Sequence, residues 1–235
     1  MAVYKHIFFD LDHTLWDFER NSQVTMEELW EEMLVQRMGT TKFKDFFFTY
    51  ERVNDHWWGL YRKDQVTKEE LRVGRFADTL KRFGTIDLYL ADELATKYLA
   101  RAPYMTHLFA GAIEVLVALR AEGYIMHIIT NGFEEVQHIK LKETGLRDFF
   151  VEVITSEAAG AKKPDPSIFH YSMEKSAAHV KDSLMIGDSL GSDILGAQGV
   201  GMDQIYFNPK GVKHDLFPTY EVSQLDEILP ILIKT

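Results

Sequence analysis

Apolar and polar positions follow two regimes along the chain. From Gly111 onward, short apolar runs alternate with segments of helical spacing. Residues 124–129, 151–154, 184–186 and 204–207 read as strands. Between them 113–121, 134–144, 167–175 and 193–198 read as helices, the first ending at Gly123 and the second stopped by Gly145. Residues 225–233 predict a closing helix. At the other end, 4–9 is a further apolar run that reads as a buried strand and stops at Asp10. Strands alternating with helices predict a parallel sheet covered on both faces.

The stretch from about Trp16 to His107 has helical spacing throughout, many charges and many aromatics. Leu29, Met33 and Leu34 share a helix face, and Thr67 with Glu70 is a capping-box pattern ahead of Leu71. All four tryptophans (Trp16, Trp30, Trp57, Trp58) lie here. The expected architecture is therefore α/β: a Rossmann-like parallel sheet core from 1–15 and 109–235, with an all-helical domain at 16–108 inserted in the first loop.

Composition narrows the class. With 46% hydrophobic residues in 235, the chain is too apolar for disorder and long enough to bury a real core. No apolar run approaches the roughly 18 residues of a membrane helix. Asp10 and Asp12 interrupt the N-terminal apolar stretch before a signal peptide could form. There is no cysteine, so neither a disulfide framework nor thiolate chemistry is expected, and the expected compartment is the cytoplasm. A net charge of −10 repels a phosphate polymer, which argues against a nucleic-acid partner but leaves room for a small phosphate beside one cation.

In open parallel sheets, ligands sit beyond the carboxyl ends of the strands. Asp10-Leu11-Asp12-His13-Thr14 follows the first strand, and Thr130-Asn131-Gly132 follows the second. Lys163-Pro164-Asp165 comes later, then Gly187-Asp188-Ser189 with Asp193 beyond. Asp10, Asp12 and Asp188 are expected to crowd together. Two like charges about 4 Å apart repel by roughly 4 kcal/mol at an effective dielectric near 20. Such a cluster needs a cation or shifted protonation. Oxygen donors point to a hard metal, and Mg²⁺ suits a site that also takes phosphate. Thr130, Asn131 and Lys163 supply donors and positive charge for phosphate oxygens.

In this order and with this placement, the four elements resemble the motifs of the haloacid dehalogenase superfamily of phosphohydrolases, with a helical cap inserted after the first motif. The stretch from Asp12 to Ser22 and the tail around Tyr206-Phe207-Asn208 are most similar to its pyrimidine 5′-nucleotidase subgroup. The resemblance implies that Asp10 attacks phosphorus to form an aspartyl-phosphate. Asp12 then protonates the leaving oxygen and later deprotonates water. It implies Mg²⁺ held by Asp10, the Asp12 backbone carbonyl and Asp188. Thr130 and the Asn131 backbone N–H bind the phosphoryl group, and Lys163 neutralises charge on nucleophile and phosphate. Asp193 orients Lys163 or a metal-bound water. The acid at Asp12 favours an ester over a halide, because an alkoxide leaving group needs a proton. Trp16, Phe18 and Asn21 are the candidate substrate contacts, and cap opening and closing would admit substrate.

Blander readings stand beside these. An isolated Asp-x-Asp is a common turn or cap, and Thr130 can cap the next helix. Lys162 and Lys163 can be a solvated pair; Lys163 is preferred because it precedes the proline, as in the family. Trp57-Trp58, Phe46-Phe47-Phe48 and Tyr61 could stack a base, but a helical-bundle core is the favoured reading. Glu27, Glu28, Glu31 and Glu32 read as a solvated face, and His13 as positional. The expected activity is Mg²⁺-dependent hydrolysis of a small phosphomonoester, a pyrimidine nucleoside 5′-monophosphate first. Sugar-phosphate or phosphoglycolate phosphatase and phosphomutase are the alternatives, with a non-catalytic phosphate-binding module last.

Overall fold

The computed structural model describes residues 4–233. They form a six-stranded sheet: β1 (His6–Phe9), β2 (Ile125–Thr130), β3 (Phe150–Thr155), β4 (Ser183–Gly187), β5 (Asp203–Phe207) and β6 (Tyr220–Val222). The order is β3-β2-β1-β4-β5-β6, and every pairing is parallel. All four residues of β1 and all five of β4 are buried. That is why these segments read as continuous apolar runs: helices cover both faces.

The helices are α1 (Phe18–Leu29), α2 (Phe43–Arg62), α3 (Lys68–Arg82), α4 (Leu88–Arg101), α5 (Ala112–Ala121), α6 (Glu134–Glu143), α7 (Ser156–Ala159), α8 (Pro166–Lys175), α9 (Leu195–Gly199) and α10 (Leu229–Leu232). Two compact units emerge. One combines the chain up to Phe18 with the chain from Thr106 onward; the other is Glu19–Met105. In the first, Phe8, Ile129, Ile154, Phe169 and Met185 belong to one buried cluster.

In the second unit, Trp30, Phe46, Tyr50, Phe76 and Tyr98 form an aromatic core. Phe46, Phe47 and Tyr61 are buried, whereas Phe48 is exposed. Thr67 and Glu70 form the reciprocal capping box that starts α3, at 3.1 and 2.8 Å. Glu27, Glu28, Glu31 and Glu32 are exposed, and Glu32 pairs with Lys97 and Arg101 of α4.

Several elements differ from the pattern-based expectation, the single-turn α7 among them. β6 was not expected; three residues at a sheet edge are too few to show a period. The helix expected at 193–198 begins earlier, as a wide turn over Leu190–Ile194 capped by the Ser189 hydroxyl, which accepts from the Ser192 N–H at 3.2 Å. The closing helix is a tight turn at Leu225–Ile228 followed by the short α10, where Pro230 sits in the first turn. Among the described residues, no helix is long and apolar enough to cross a membrane.

Candidate active site

The chain reverses strand order around β1, with β2 on one side and β4 on the other. In parallel register Phe9 pairs with Ile128 and with Ile186. The next residues up therefore bring Asp10, Thr130 and Asp188 to one rim, at the topological switch point where such sheets bind ligands. The Asp10 N–H still bonds Ile186 O at 2.8 Å, so sheet geometry carries on into the site.

Lys163 is the centre of charge. Its Nζ stands 2.6 Å from Asp10 Oδ1, 2.7 Å from Asp193 Oδ1 and 2.6 Å from the Ile129 carbonyl. The residue is 1% exposed. A buried ammonium survives only when paired, and this one donates to Asp10 and the Ile129 carbonyl and forms an ion pair with Asp193. Burial alone would lower its pKa, but the charges of Asp10 and Asp193 overcome that and raise it. Asn131 fixes the lysine's backbone: its Nδ2 donates to Lys163 O at 2.9 Å, and its Oδ1 accepts from Lys163 N–H at 2.8 Å. The Asn131 side chain is thus used to tie the β2 end to the lysine loop. Thr130 Oγ1 accepts from the Gly132 N–H at 3.0 Å, which closes a local turn and does not cap α6, whose N-cap is Phe133 without a side-chain hydrogen bond.

Asp10, Asp188 and Asp193 present carboxylate oxygens within 4.8 Å of one another. Thr14 Oγ1 bridges the first two, lying 3.5 Å from Asp10 Oδ2 and 3.4 Å from Asp188 Oδ1 while accepting from the Asp188 N–H at 3.1 Å. Burial pushes the Asp10 carboxyl up to about 7 despite Lys163. Burial and the charges of Asp10 and Asp193 hold Asp188 well above the carboxylate range. Asp193 Oδ2 also accepts from the Ser189 N–H at 3.0 Å. Gly187 makes room for it, since a Cβ there would lie 2.3 Å from Asp193 Oδ2.

The third carboxylate of the cluster is Asp193, where Asp12 was expected. The Asp12 side chain is drawn instead to α6. Lys140 Nζ donates to its Oδ1 at 2.5 Å and Gln137 Nε2 to its Oδ2 at 2.8 Å. Burial alone would raise the Asp12 pKa; the Lys140 charge and the hydrogen bonds from Lys140 and Gln137 outweigh it and hold the carboxyl below its ordinary range.

Trp16 is buried, with Lys140 Nζ 4.0 Å from its ring centre and 5.9 Å from that of Phe18. Phe18 also packs on His13, at 4.6 Å between centroids. His13 itself occupies the left-handed region at φ 66°, turning the chain after Asp12. Asn21 is buried on α1, where its carbonyl accepts from the Thr25 hydroxyl at 2.9 Å. Sequence reading missed Thr14 as a bridge and missed Gln137 and Lys140 altogether. The signal for Thr14 was its place within the first motif; two polar residues on an otherwise charged helix gave none.

Comparison with known proteins agrees with this geometry. A family model described as haloacid dehalogenase-like hydrolase matches residues 4–201. The pyrimidine 5′-nucleotidase YjjG of Escherichia coli is 33% identical over 235 residues, covering 97% of both chains. A glyceraldehyde 3-phosphate phosphatase of Pyrococcus furiosus is 29% identical, covering 99% of this chain and 94% of its own. Among solved structures, the HAD-hydrolase YfnB of Bacillus subtilis, bound to magnesium and showing interdomain movement, superposes with a TM-score of 0.88 at 30% identity, over 98% of this chain and 99% of that one. A family match spanning the sheet from β1 to α9, and relatives similar along nearly their whole length, establish that this chain belongs to the haloacid dehalogenase-like hydrolases, as a phosphoric monoester hydrolase.

Proposed function

We propose that the protein hydrolyses nucleoside 5′-monophosphates, pyrimidine ones first, through a phosphorylated Asp10. The observation that carries the mechanism is Asp10 itself. It lies at the end of a buried strand, 2.6 Å from the Lys163 ammonium and bridged by Thr14 to Asp188. A carboxylate oxygen of Asp10 attacks phosphorus as the ester P–O bond breaks, and Asp12 gives the departing oxygen its proton. Water then attacks the same phosphorus, losing its proton to Asp12 and releasing phosphate and free Asp10. Thr130 donates its hydroxyl to the phosphoryl oxygens, with the Asn131 backbone N–H beside it. Lys163 offsets charge on nucleophile and phosphate, and Asp193 holds Lys163 in place.

The donor set fits a hard divalent cation. Asp10 and Asp188 offer only oxygen, burial first and neighbouring carboxylates second raise both pKa values, and a cation relieves that conflict. Mg²⁺ would be held by Asp10, Asp188 and the Asp12 backbone carbonyl, where it supplies charge neutralisation between carboxylate and phosphate. Asp193 is already engaged by Lys163 and Ser189.

The substrate assignment rests on likeness to the E. coli pyrimidine 5′-nucleotidase along nearly the whole chain. A sugar-phosphate substrate is the second reading, favoured by the similarity to the Pyrococcus glyceraldehyde 3-phosphate phosphatase. The motif residues serve both, so the helical unit inserted between β1 and β2 is assigned the choice, as a cap.

The test is phosphate release from UMP, dUMP, dTMP, CMP, AMP, GMP, sugar phosphates and phosphoglycolate, with Mg²⁺ and with EDTA, beside Asp10→Asn. Mg²⁺-dependent release that is highest for uridine and thymidine monophosphates and lost in the variant supports the proposal. Release mainly from sugar phosphates keeps the mechanism and rejects the substrate. Full activity in Asp10→Asn rejects the covalent step.

A further inference from the structure

Asp12 carries both proton transfers in the reading above, and two side chains of α6 hold it. Gln137 and Lys140 are three residues apart and so share one helix face. Both are buried, Gln137 at 1% and Lys140 at 4% exposure. Between them they engage both oxygens of the carboxylate, at 2.8 and 2.5 Å. The faces of Trp16 and Phe18 wall the ammonium, so Lys140 has a cation–π surface as well as a charged partner. Gly132 leaves the space Gln137 occupies: a Cβ there would fall 1.7 Å from Gln137 Nε2. An ammonium, an amide, two aromatic faces and a missing Cβ thus all bear on one carboxylate.

We propose that Lys140 and Gln137 are positioning residues for Asp12. They fix the carboxylate in one rotamer and leave each oxygen a second lone pair for the proton it exchanges with substrate or water. Asp12 gives a proton to the departing oxygen as the ester P–O bond breaks and regains one from the water that attacks the aspartyl-phosphate, so the clamp must hold its direction through both transfers. Trp16 and Phe18 then serve the reaction through Lys140, as its wall. This inference rests on Asp12 being the proton donor and acceptor.

The experiment is a double-mutant cycle in the full chain with Mg²⁺: wild type, Lys140→Met, Asp12→Asn and the pair. Met keeps the apolar stem against Trp16. Each is assayed on p-nitrophenyl phosphate and on whichever alkyl monophosphate the wild type hydrolyses fastest. Nitrophenolate leaves without a proton, so its first-turnover release does not need Asp12 as acid.

Lys140→Met is expected to lower kcat on the alkyl ester by about 10- to 100-fold, with KM within about threefold. First-turnover nitrophenolate release should change much less, and in the Asp12→Asn background the second substitution should cost nothing further. If Lys140→Met fails to fold, Gln137→Met, which keeps the ammonium, carries the same test with a smaller loss. Equal losses on both substrates, an undiminished loss in the Asp12→Asn background, or wild-type kcat would overturn the proposal. Wild-type turnover in Asp12→Asn itself, or a wild type that releases no phosphate, removes the acid–base reading and this inference together. A crippled Asp12→Asn beside an unaffected Lys140→Met removes the positioning role alone.

Discussion

Lys163 and Asp10 meet at 2.6 Å although 153 residues separate them in sequence. The same ammonium reaches Asp193 at 2.7 Å, so one buried cation serves two buried carboxylates. Removing it leaves both uncompensated, a change that costs about 3–5 kcal/mol for buried pairs. Proton uptake by Asp10 softens this, so Lys163→Met is expected to lose about 3 kcal/mol near neutral pH, together with turnover. Urea unfolding in EDTA measures it. An unchanged midpoint and slope would mean that the cluster is not held by this lysine.

Asp10 also sets a pH dependence. Burial raises its pKa to about 7, from 3.8 when unfolded. Between about pH 4 and 7 the metal-free folded state binds more protons than the unfolded one. The stability contributed by the neutral carboxyl is full below the unfolded value and is lost as pH rises through about 7. A divalent cation competes for the same oxygen, so its stabilisation should grow over the same window. The rise in Tm on adding Mg²⁺ is therefore expected to be larger at pH 7.5 than at pH 5.5. Thermal melts with Mg²⁺ and with EDTA check this, and a pH-independent increment would exclude Asp10 as a ligand.

β1, β2, β4 and β5, buried along nearly their whole length, were legible as apolar runs, because burial on both sides removes the need for polar alternation. β6 was not, since Tyr220–Val222 is an edge of three residues. The approach of Asp10 and Asp188 could be read from their place just after strands, whereas Lys163 and Asp193 lie farther along the loops beyond β3 and β4 and took their roles from the family resemblance. Parallel register turns sequence position into spatial neighbourhood there. The Asp12 environment was not legible for the opposite reason. A lysine and a glutamine on α6 look like any solvated helix face, and only tertiary packing buries Lys140 against Trp16. Trp16 was read as a substrate contact on its nearness to the first motif; nearness in sequence did not reveal that its ring faces a cation.

Gly187 is a tight spot that a single methyl tests. A Cβ at this position would lie 2.3 Å from Asp193 Oδ2 and 2.5 Å from its Cγ. Asp193 cannot retreat freely, because it is buried and holds both Lys163 and the Ser189 N–H. Gly187→Ala is expected to cost about 1–3 kcal/mol, as overpacking does, and to lower kcat by disturbing Lys163. Gly191, where an added Cβ meets nothing within 4 Å, provides the control on the same segment. Equal stability in Gly187→Ala and Gly191→Ala would show that Asp193 has more freedom than this packing allows.

Beneath the sheet residues of the site lies a second buried titratable pair. His6 Nδ1 and His127 Nε2 are 3.1 Å apart, with rings stacked at 5.4 Å, and Phe8 stacks on His127 at 4.8 Å. One ring must donate and the other accept, so the bond is lost when both rings are imidazolium. Burial, then the neighbouring His6, lowers the His127 pKa to about 4 from 6.5. In the window between those values the unfolded chain binds more protons. Stability from the neutral ring is present above about 6.5 and is lost as pH falls toward about 4, by roughly 2–3 kcal/mol. Asp10 titrates with the opposite sign over part of that range, so the measurement belongs in Asp10→Asn, where that contribution is gone. In this background Tm should fall steadily from pH 6.5 to 4.5, and adding His127→Gln should flatten the slope by close to one proton. An unaltered slope would mean that His127 charges without resistance and that the acid sensitivity of the fold lies elsewhere.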